Sequence, residues 1–141
     1  MRTHKNLITI SKYYEIICQL IYESKIFSVV KLIFIAVSVY NAEDYYEGTT
    51  KKYNLIEDIV VGVRLCLNRN LDHFCYVFDC LNLLETAKMI EVKNGIIRTM
   101  SVVPKYEKNN KLLNSPQIKN SIAQVERISD EALIKEIIEY V

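Results

Sequence analysis

The chain has 141 residues, half of them apolar, and its 18 lysines and arginines nearly balance its 17 aspartates and glutamates. This length and composition predict one folded domain whose core needs neither disulfide nor metal, and they argue against a disordered chain. A net charge of +1 also argues against a dedicated nucleic-acid binder, because such proteins usually carry a basic excess.

The cysteine spacing and the apolar runs predict the cellular location of the protein. The four cysteines include no CxxC pair, and Lys12 interrupts the N-terminal apolar stretch too early for a secretory signal. We therefore expect free thiols and a cytoplasmic protein. The apolar run at residues 26–40 contains Lys31 and is shorter than the ~20 residues of a membrane span, so we expect no membrane contact.

Residues 7–23 and 27–40 precede the first polar stretch. The first segment repeats apolar side chains at helical spacing, which predicts an amphipathic helix. The second is apolar on most sides and predicts a central helix, although its β-branched residues leave a strand open. Residues 41–53 are mostly polar and contain Gly48, so they predict a loop.

Asn54 stands three residues before Glu57 and ahead of an apolar series, as is typical of a capped helix start. The series predicts a helix of about fourteen residues. Its apolar positions are Leu55, Ile59, Val60, Val63 and Leu67. Gly62 inside this helix is unfavourable by ~1 kcal/mol relative to alanine, and a close approach to another helix is one explanation for it.

A fourth helix follows, with Asn70 or Asp72 as the residue that can cap its N-terminus. Its apolar stripe follows the spacing of an amphipathic helix and consists of Phe74, Val77, Phe78, Leu81 and Leu84. Lys88 near its end complements the helix dipole.

The pair Asn94-Gly95 predicts a type I′ turn, in which both central residues take positive φ, and therefore a β-hairpin. A two-stranded hairpin is unstable alone, so it must pack against the helices. The residues expected to make that contact are Ile90, Val92 and one of Ile96 or Ile97. Three helices followed by a hairpin is the order of a winged-helix fold, and three of the four predicted helices would supply it.

The predicted fold class is mainly α with a small β-hairpin: a winged-helix-like domain over residues 1–103, a linker over 104–116 and a C-terminal amphipathic helix over 117–141. Ser115-Pro116 is typical of a helix start, and Ser129 either restarts or continues the helix. The terminal apolar strip can pack into the core or dock in a partner's groove. It consists of Leu133, Ile134, Ile137, Ile138 and Val141.

The side chains that could carry chemistry do not form a recognisable site in the sequence. Cys75 and Cys80 would point about 140° apart on a helix, so they cannot share a tetrahedral ion with His73. We expect His73 in an exposed first turn and the cysteines as small apolar residues. No Cys–His pair with a third orienting group and no glycine-rich phosphate loop is present. The sequence therefore predicts no enzyme, metal, cofactor or small-molecule substrate.

Basic residues concentrate between positions 88 and 111. Those predicted as contacts for DNA or a protein partner are Lys93, Arg98, Lys105, Lys108 and Lys111. The helix before the hairpin would be the recognition helix of a winged-helix protein. Its outward residues are acidic overall, so a phosphate surface would repel it. Protein–protein binding is the class that this pattern favours.

The stretch FCYVFDCLNLLETAKMIEVKNGIIR resembles the middle-component proteins of bacterial three-component ABC systems, which overlap the Lamassu anti-phage systems. The matching positions are Phe74, Phe78, Leu81, Leu84, Ile90, Glu91, Gly95, Ile97 and Arg98. The chain departs from the family at Thr86-Ala87-Lys88, where a small or glycine-containing turn is common. The resemblance covers about thirty residues well.

This resemblance implies a non-enzymatic adaptor that bridges an SMC-like ATPase and an effector subunit, often a nuclease, and that restrains the effector until foreign DNA is sensed. No matched residue is catalytic. Two alternatives remain open: a winged-helix DNA-binding transcriptional regulator, and a small interaction protein without any nucleic-acid role.

Overall fold

The computed structural model describes residues 4–46, 55–69, 71–100, 105–106 and 113–139. The helices are α1 His4–Tyr22, α2 Val29–Tyr46, α3 Leu55–Arg69, α4 Asp72–Thr86, α5 Pro116–Arg127 and α6 Asp130–Glu139, and the strands are β1 Ile90–Lys93 and β2 Ile96–Thr99. The two strands pair antiparallel. The fold is therefore mainly α with a small β-hairpin, as predicted.

Helix α2 lies at the centre of the protein and contacts α1, α3, α4 and α6. It is helical rather than extended, and it continues to Tyr46, so the prediction of a loop from residue 41 is wrong. Asn41 lies inside the extended helix, where its amide donates to the Val37 carbonyl at 2.7 Å and to Cys66 Sγ at 3.3 Å. Residues 47–54, including Asn54, lie outside the described residues.

Gly62 brings α3 close to α2. A Cβ atom at Gly62 would lie 3.1 Å from the Cα atom of Ser38, which is tighter than ordinary van der Waals contact with backbone. Ser38 is buried at this contact, and its small side chain also lies against Gly62, with Cβ and Oγ 3.4 and 3.6 Å from the same position. The close approach that the sequence left as one explanation is the reason for this glycine.

In α3 and α4 the buried face is rotated around the helix relative to the predicted apolar stripe. Cys66 is buried in α3, whereas Leu67 is 46% exposed. In α4 the buried residues are Val77, Cys80, Leu81 and Leu84. Phe78 is 49% exposed, because it lies about 100° around the helix from Val77 and falls outside the buried sector.

Neither end of α4 is capped by a side chain in the way that the sequence predicts. The residue before the helix is Leu71, which makes no side-chain cap bond, so Asp72 belongs to the first turn; Asn70 is outside the described residues. At the other end Lys88 has φ of +61°, and the Met89 N–H donates to the Leu84 carbonyl at 2.9 Å. Lys88 thus takes the left-handed conformation that usually follows a helix end.

The hairpin forms as the turn sequence predicts. Asn94 has φ of +54° and Gly95 has φ of +75°, both in the left-handed region that a type I′ turn requires. Ile90 and Ile97 are buried and Val92 packs partly buried against the core, whereas Ile96 is 61% exposed. Ile97, and not Ile96, is therefore the residue that faces the helices.

Residues 27–29, at the start of α2, pair with β2. The Ile97 N–H donates to the Phe27 carbonyl at 2.7 Å, and the Val29 N–H donates to the Gly95 carbonyl at 2.9 Å. Ser28 forms the corresponding antiparallel bridge with Ile96. The sequence did not predict this pairing, which fixes the hairpin to the start of α2.

The C-terminal part forms two helices and shares the core of the rest. Ser115 caps α5 by accepting from the Ile118 N–H at 3.3 Å, and Pro116 takes the first helical position, as predicted. The helix breaks after Arg127 and restarts at Asp130. The buried residues that join the common core are Leu113, Ile118, Ile122, Val125, Leu133 and Ile137. Residues 104 and 107–112 of the predicted linker are outside the described residues.

Candidate functional site

The predicted partner strip divides into an inner and an outer pair on α6. Leu133 and Ile137 are buried, at 0% and 5% exposure, because α6 packs on α2 and α3. Ile134 and Ile138 are 37% and 66% exposed. Val141 is outside the described residues. The inner pair is therefore core. Among the strip residues that the structure describes, Ile134 and Ile138 remain available to a partner, and we refer to these two as the outer pair.

The predicted basic contacts fall in two places. Lys93 and Arg98 are both exposed, and the strand register places them on one face of the hairpin, where Arg98 stands opposite Glu91 and Lys93 opposite Ile96. Directly opposed residues of an antiparallel pair share a face. Lys105 is exposed. Lys108 and Lys111 are outside the described residues.

The solvent-facing part of α4 is acidic and apolar. Asp72 and Glu85 are exposed, and the helix contains no lysine or arginine. Phe78 and Leu83 are also exposed, at 49% and 54%. This face therefore offers carboxylates and apolar surface, which suits a protein partner better than a phosphate backbone.

A polar contact that we call the terminal junction connects the start of α2 to α6 through Ser28, Lys31 and Asp130. Ser28 Oγ donates to the Asp130 carboxylate, with distances of 2.8 and 2.9 Å to its two oxygens, and it accepts from the Lys31 N–H at 3.2 Å. Lys31 Nζ donates to the Glu126 carbonyl at 3.0 Å and lies 3.9 Å from Asp130 Oδ1. The lysine inside the apolar run thus anchors the last turn of α5.

A second polar contact, which we call the aromatic junction, joins α1, α2 and α4 through Tyr13, Tyr40, His73 and Tyr76. The Tyr13 and Tyr40 rings stack with centroids 4.5 Å apart, and His73 meets both rings nearly edge-on at 5.5 and 5.0 Å. The Tyr13 hydroxyl is 2.6 Å from His73 Nδ1. His73 is half-buried, so the expectation of an exposed first-turn histidine is wrong.

Burial determines the protonation states in the aromatic junction. It lowers the pKa of His73 from its usual 6.5, and the nearby Asp72 carboxylate only partly opposes this. It also raises the pKa of the Tyr13 hydroxyl far above its usual value. A neutral imidazole and a protonated phenol follow, so the Tyr13 O–H can donate to Nδ1.

The cysteines behave as small apolar residues in most positions. Cys18, Cys66 and Cys80 are buried, and Cys75 is exposed. Burial raises the pKa of the Cys18 thiol to about 11, so this thiol stays protonated. Among the residues that the structure places, no three His, Cys, Asp or Glu side chains are grouped to hold a metal ion.

None of the helices within the described ranges has the length and apolar content that a bilayer crossing requires. No protein-family model, curated protein or solved structure matches this chain.

Proposed function

We propose that this protein is a non-enzymatic adaptor that binds a protein partner through the outer pair on α6. The observation that carries the proposal is the division of that helix: Leu133 and Ile137 anchor it in the core while Ile138 stands 66% exposed beside them. An anchored helix presents its outer apolar side chains without further ordering on binding, which favours affinity.

The surroundings of the outer pair resemble the rim of a protein interface. Glu131, Lys135 and Glu139 are exposed on the same helix, and Lys135 Nζ lies 3.9 Å from Glu139 Oε1. A small apolar centre with a charged rim is the usual arrangement of a non-obligate interface. The acidic and apolar outward face of α4 is a second surface of the same character.

The resemblance at residues 74–98 supplies the partners of the proposal. They are an SMC-like ATPase and an effector subunit, often a nuclease, in a cytoplasmic anti-phage defence complex. The adaptor would bridge the two subunits and restrain the effector. If no ATPase or effector gene lies beside the gene for this chain, the defence part of the proposal fails.

The test is co-purification with the ATPase encoded beside the gene. We expect Ile138→Glu to reduce ATPase capture at least about tenfold, because it places a charge in an apolar contact. Ala132→Glu, at another exposed position of α6, is the matched control and should capture normally. Normal capture by Ile138→Glu would contradict the proposal.

Ile137→Asp tests whether the inner pair of α6 belongs to the core. Because Ile137 is 5% exposed, we expect this change to abolish the folded state, measured as loss of the cooperative thermal transition. A folded Ile137→Asp protein would contradict the assignment of the inner pair to the core.

A winged-helix DNA-binding regulator is the alternative. Lys93 and Arg98 share the exposed face of a hairpin widened by residues 27–29, where a wing would meet DNA. Such a regulator should bind duplex DNA alone, with an affinity that falls steeply as salt rises and that Arg98→Glu weakens. Duplex binding of this kind without any partner would replace the adaptor proposal.

A further inference from the structure

Within the part of the chain that the structure describes, strand β1 has a free edge. Residues 27–29 and β1 lie on the two sides of β2, so the sheet continues beyond β2 but ends at β1. Strand β1 is four residues long, Ile90–Lys93, and it pairs with β2 on one side. A free edge presents unpaired backbone N–H and C=O groups, on which a strand of another chain can pair.

The hydrogen bonds of the hairpin show which backbone groups face this edge. The Met100 N–H donates to the Met89 carbonyl at 2.8 Å, so these two residues form a bonded pair of the ladder. Bonded and non-bonded pairs alternate along an antiparallel ribbon. Glu91 therefore bonds to β2, whereas Ile90 and Val92 belong to non-bonded pairs and direct their N–H and C=O groups to the free edge.

The opposite edge of the hairpin supports this assignment. Ile97 stands opposite Val92, and its N–H points away from β1 and donates to the Phe27 carbonyl at 2.7 Å. On the β1 side, none of the described residues bonds to the backbone N–H or C=O of Ile90 or Val92. Val92 can therefore form two backbone hydrogen bonds with a strand of another chain.

The side chains beside the free edge are complementary to a second copy of themselves. Glu91 and Lys93 are exposed on the outer face of β1, one on each side of Val92. If two copies of β1 align antiparallel about Val92, each Glu91 stands opposite Lys93 of the other copy, and opposite charges in this position stabilise a strand pair. An antiparallel register about Glu91 would oppose two carboxylates, and in-register parallel pairing would place like charges side by side. The charges therefore favour one register.

Two further features of β1 suit this pairing. Val92 packs half-buried against the core, and Val92 of the second copy would stand opposite it on the inner face, where β-branched pairs contribute to sheet stability. A lysine on an edge strand ordinarily discourages pairing, but Glu91 of the second copy gives Lys93 an opposite charge to face. An edge of four residues buries little surface, so the association should be weak and reversible.

We propose that β1 pairs antiparallel with β1 of a second copy of this chain about Val92, so that one sheet runs through a two-fold symmetric dimer. Each copy contributes the same backbone groups and the same two charges, as a two-fold interface requires. The inference goes beyond the adaptor function and does not depend on it, because β1 and the outer pair lie on different elements.

Reversal of one charge tests the register. Sedimentation equilibrium of the full-length protein, at concentrations up to about 1 mM, should show a monomer–dimer equilibrium. Glu91→Lys should weaken the association at least about tenfold, because it opposes two lysines at both ends of the strand pair. Glu136→Lys on the exposed side of α6 changes the net charge equally and should have no effect. A wild type that stays monomeric, or a Glu91→Lys protein that dimerises as the wild type does, would overturn the inference.

Restoring the opposite charges separates pairing from folding defects. Lys93→Glu should also weaken the association, because it opposes glutamates. The double variant Glu91→Lys/Lys93→Glu has the wild-type net charge and should dimerise again. An equal mixture of the two single variants should form mixed dimers, since every lysine then faces a glutamate. Failure of either rescue would count against pairing about Val92.

Amide hydrogen exchange tests the backbone bonds directly. The Val92 N–H should exchange at least about tenfold more slowly at high protein concentration than at low concentration, because the second copy protects it. The Glu91 N–H bonds to β2 within each copy, so it is the internal control and its exchange should not change. Exchange of Val92 that is independent of concentration, or that changes in parallel with Glu91, would contradict the proposed dimer.

Discussion

The aromatic junction and the terminal junction both connect helices that are distant in the chain, but they use different groups. The aromatic junction relies on neutral rings, with Tyr13 fully buried and its hydroxyl 2.6 Å from His73 Nδ1. The terminal junction relies on charges, and the Asp130 side chain is 41% exposed. The difference follows burial, because an ionised group is stable only where water or an opposite charge remains close.

This contrast predicts that the two junctions respond to different perturbations. Loss of a buried ring removes packing as well as a hydrogen bond, so its effect on stability should be large and insensitive to salt. Loss of a half-exposed carboxylate removes hydrogen bonds that water partly replaces, so its effect should be smaller and should weaken with salt.

The largest effect is expected from Tyr13→Ala. This change removes the stacked ring and leaves a cavity, so it should lower the free energy of unfolding by about 3–5 kcal/mol. Tyr13→Phe keeps the ring and removes only the hydroxyl, and it should lower it by about 1–3 kcal/mol. Urea unfolding followed by circular dichroism measures both, and equal losses would show that packing in the junction contributes little.

Asp130→Ala should have an intermediate effect. It removes both oxygens that accept from Ser28 Oγ and the charge near Lys31, and the expected loss is about 1–2 kcal/mol in urea unfolding. Glu131→Ala removes a carboxylate from the same first turn of α6 and controls for the helix dipole. The comparison fails if the two variants lose the same stability.

The next largest effect is expected from pH, which should change the stability of the aromatic junction through His73. Because burial lowers the pKa of His73, the unfolded chain takes up the proton more readily than the folded one. The contribution of a neutral His73 is therefore present above about pH 6.5 and lost as the pH falls below it. Urea midpoints at about pH 7.5 and pH 5.5 should drop more for the wild type than for His73→Gln. An equal drop would mean that His73 titrates as it does in water.

The smallest effect on stability is expected from Lys31→Met, and this effect should depend on salt. The lysine contacts the Glu126 carbonyl and Asp130, and its loss should lower stability by under about 1 kcal/mol at low salt. In about 1 M NaCl the difference from wild type should shrink, since charges are screened over a few ångströms. The Tyr13→Phe difference should stay constant. A salt-dependent Tyr13→Phe effect would contradict the division into neutral and charged junctions.

Features that depend on a few neighbouring residues could be predicted from the sequence. The hairpin follows from Asn94-Gly95, because the turn requires positive φ at two adjacent positions. The start of α5 follows from Ser115 and Pro116 for a similarly local reason. The alternating pattern also identified Ile90 and Val92 as inward residues of β1.

Features that depend on distant residues could not be predicted. Periodicity indicates that a helix has an apolar face but not where the centre of that face lies, so the predicted stripe includes Phe78, which is exposed, and leaves out Cys80, which is buried. The sequence predicts an exposed His73 because the contact that buries it, with Tyr13, joins residues sixty positions apart. The pairing of residues 27–29 with β2 uses backbone atoms, which leave no pattern in the side chains.

The same pairing has a consequence for the order of folding. The hairpin can close its own turn quickly, but its β2 edge is completed only when residues 27–29, which lie 68 positions earlier in the chain, pair with it. Because such distant closure is slow, the ribbon should acquire protection from hydrogen exchange in two stages, first across Asn94-Gly95 and later at the Ile97 amide. Docking of residues 27–29 must therefore precede full protection of the hairpin.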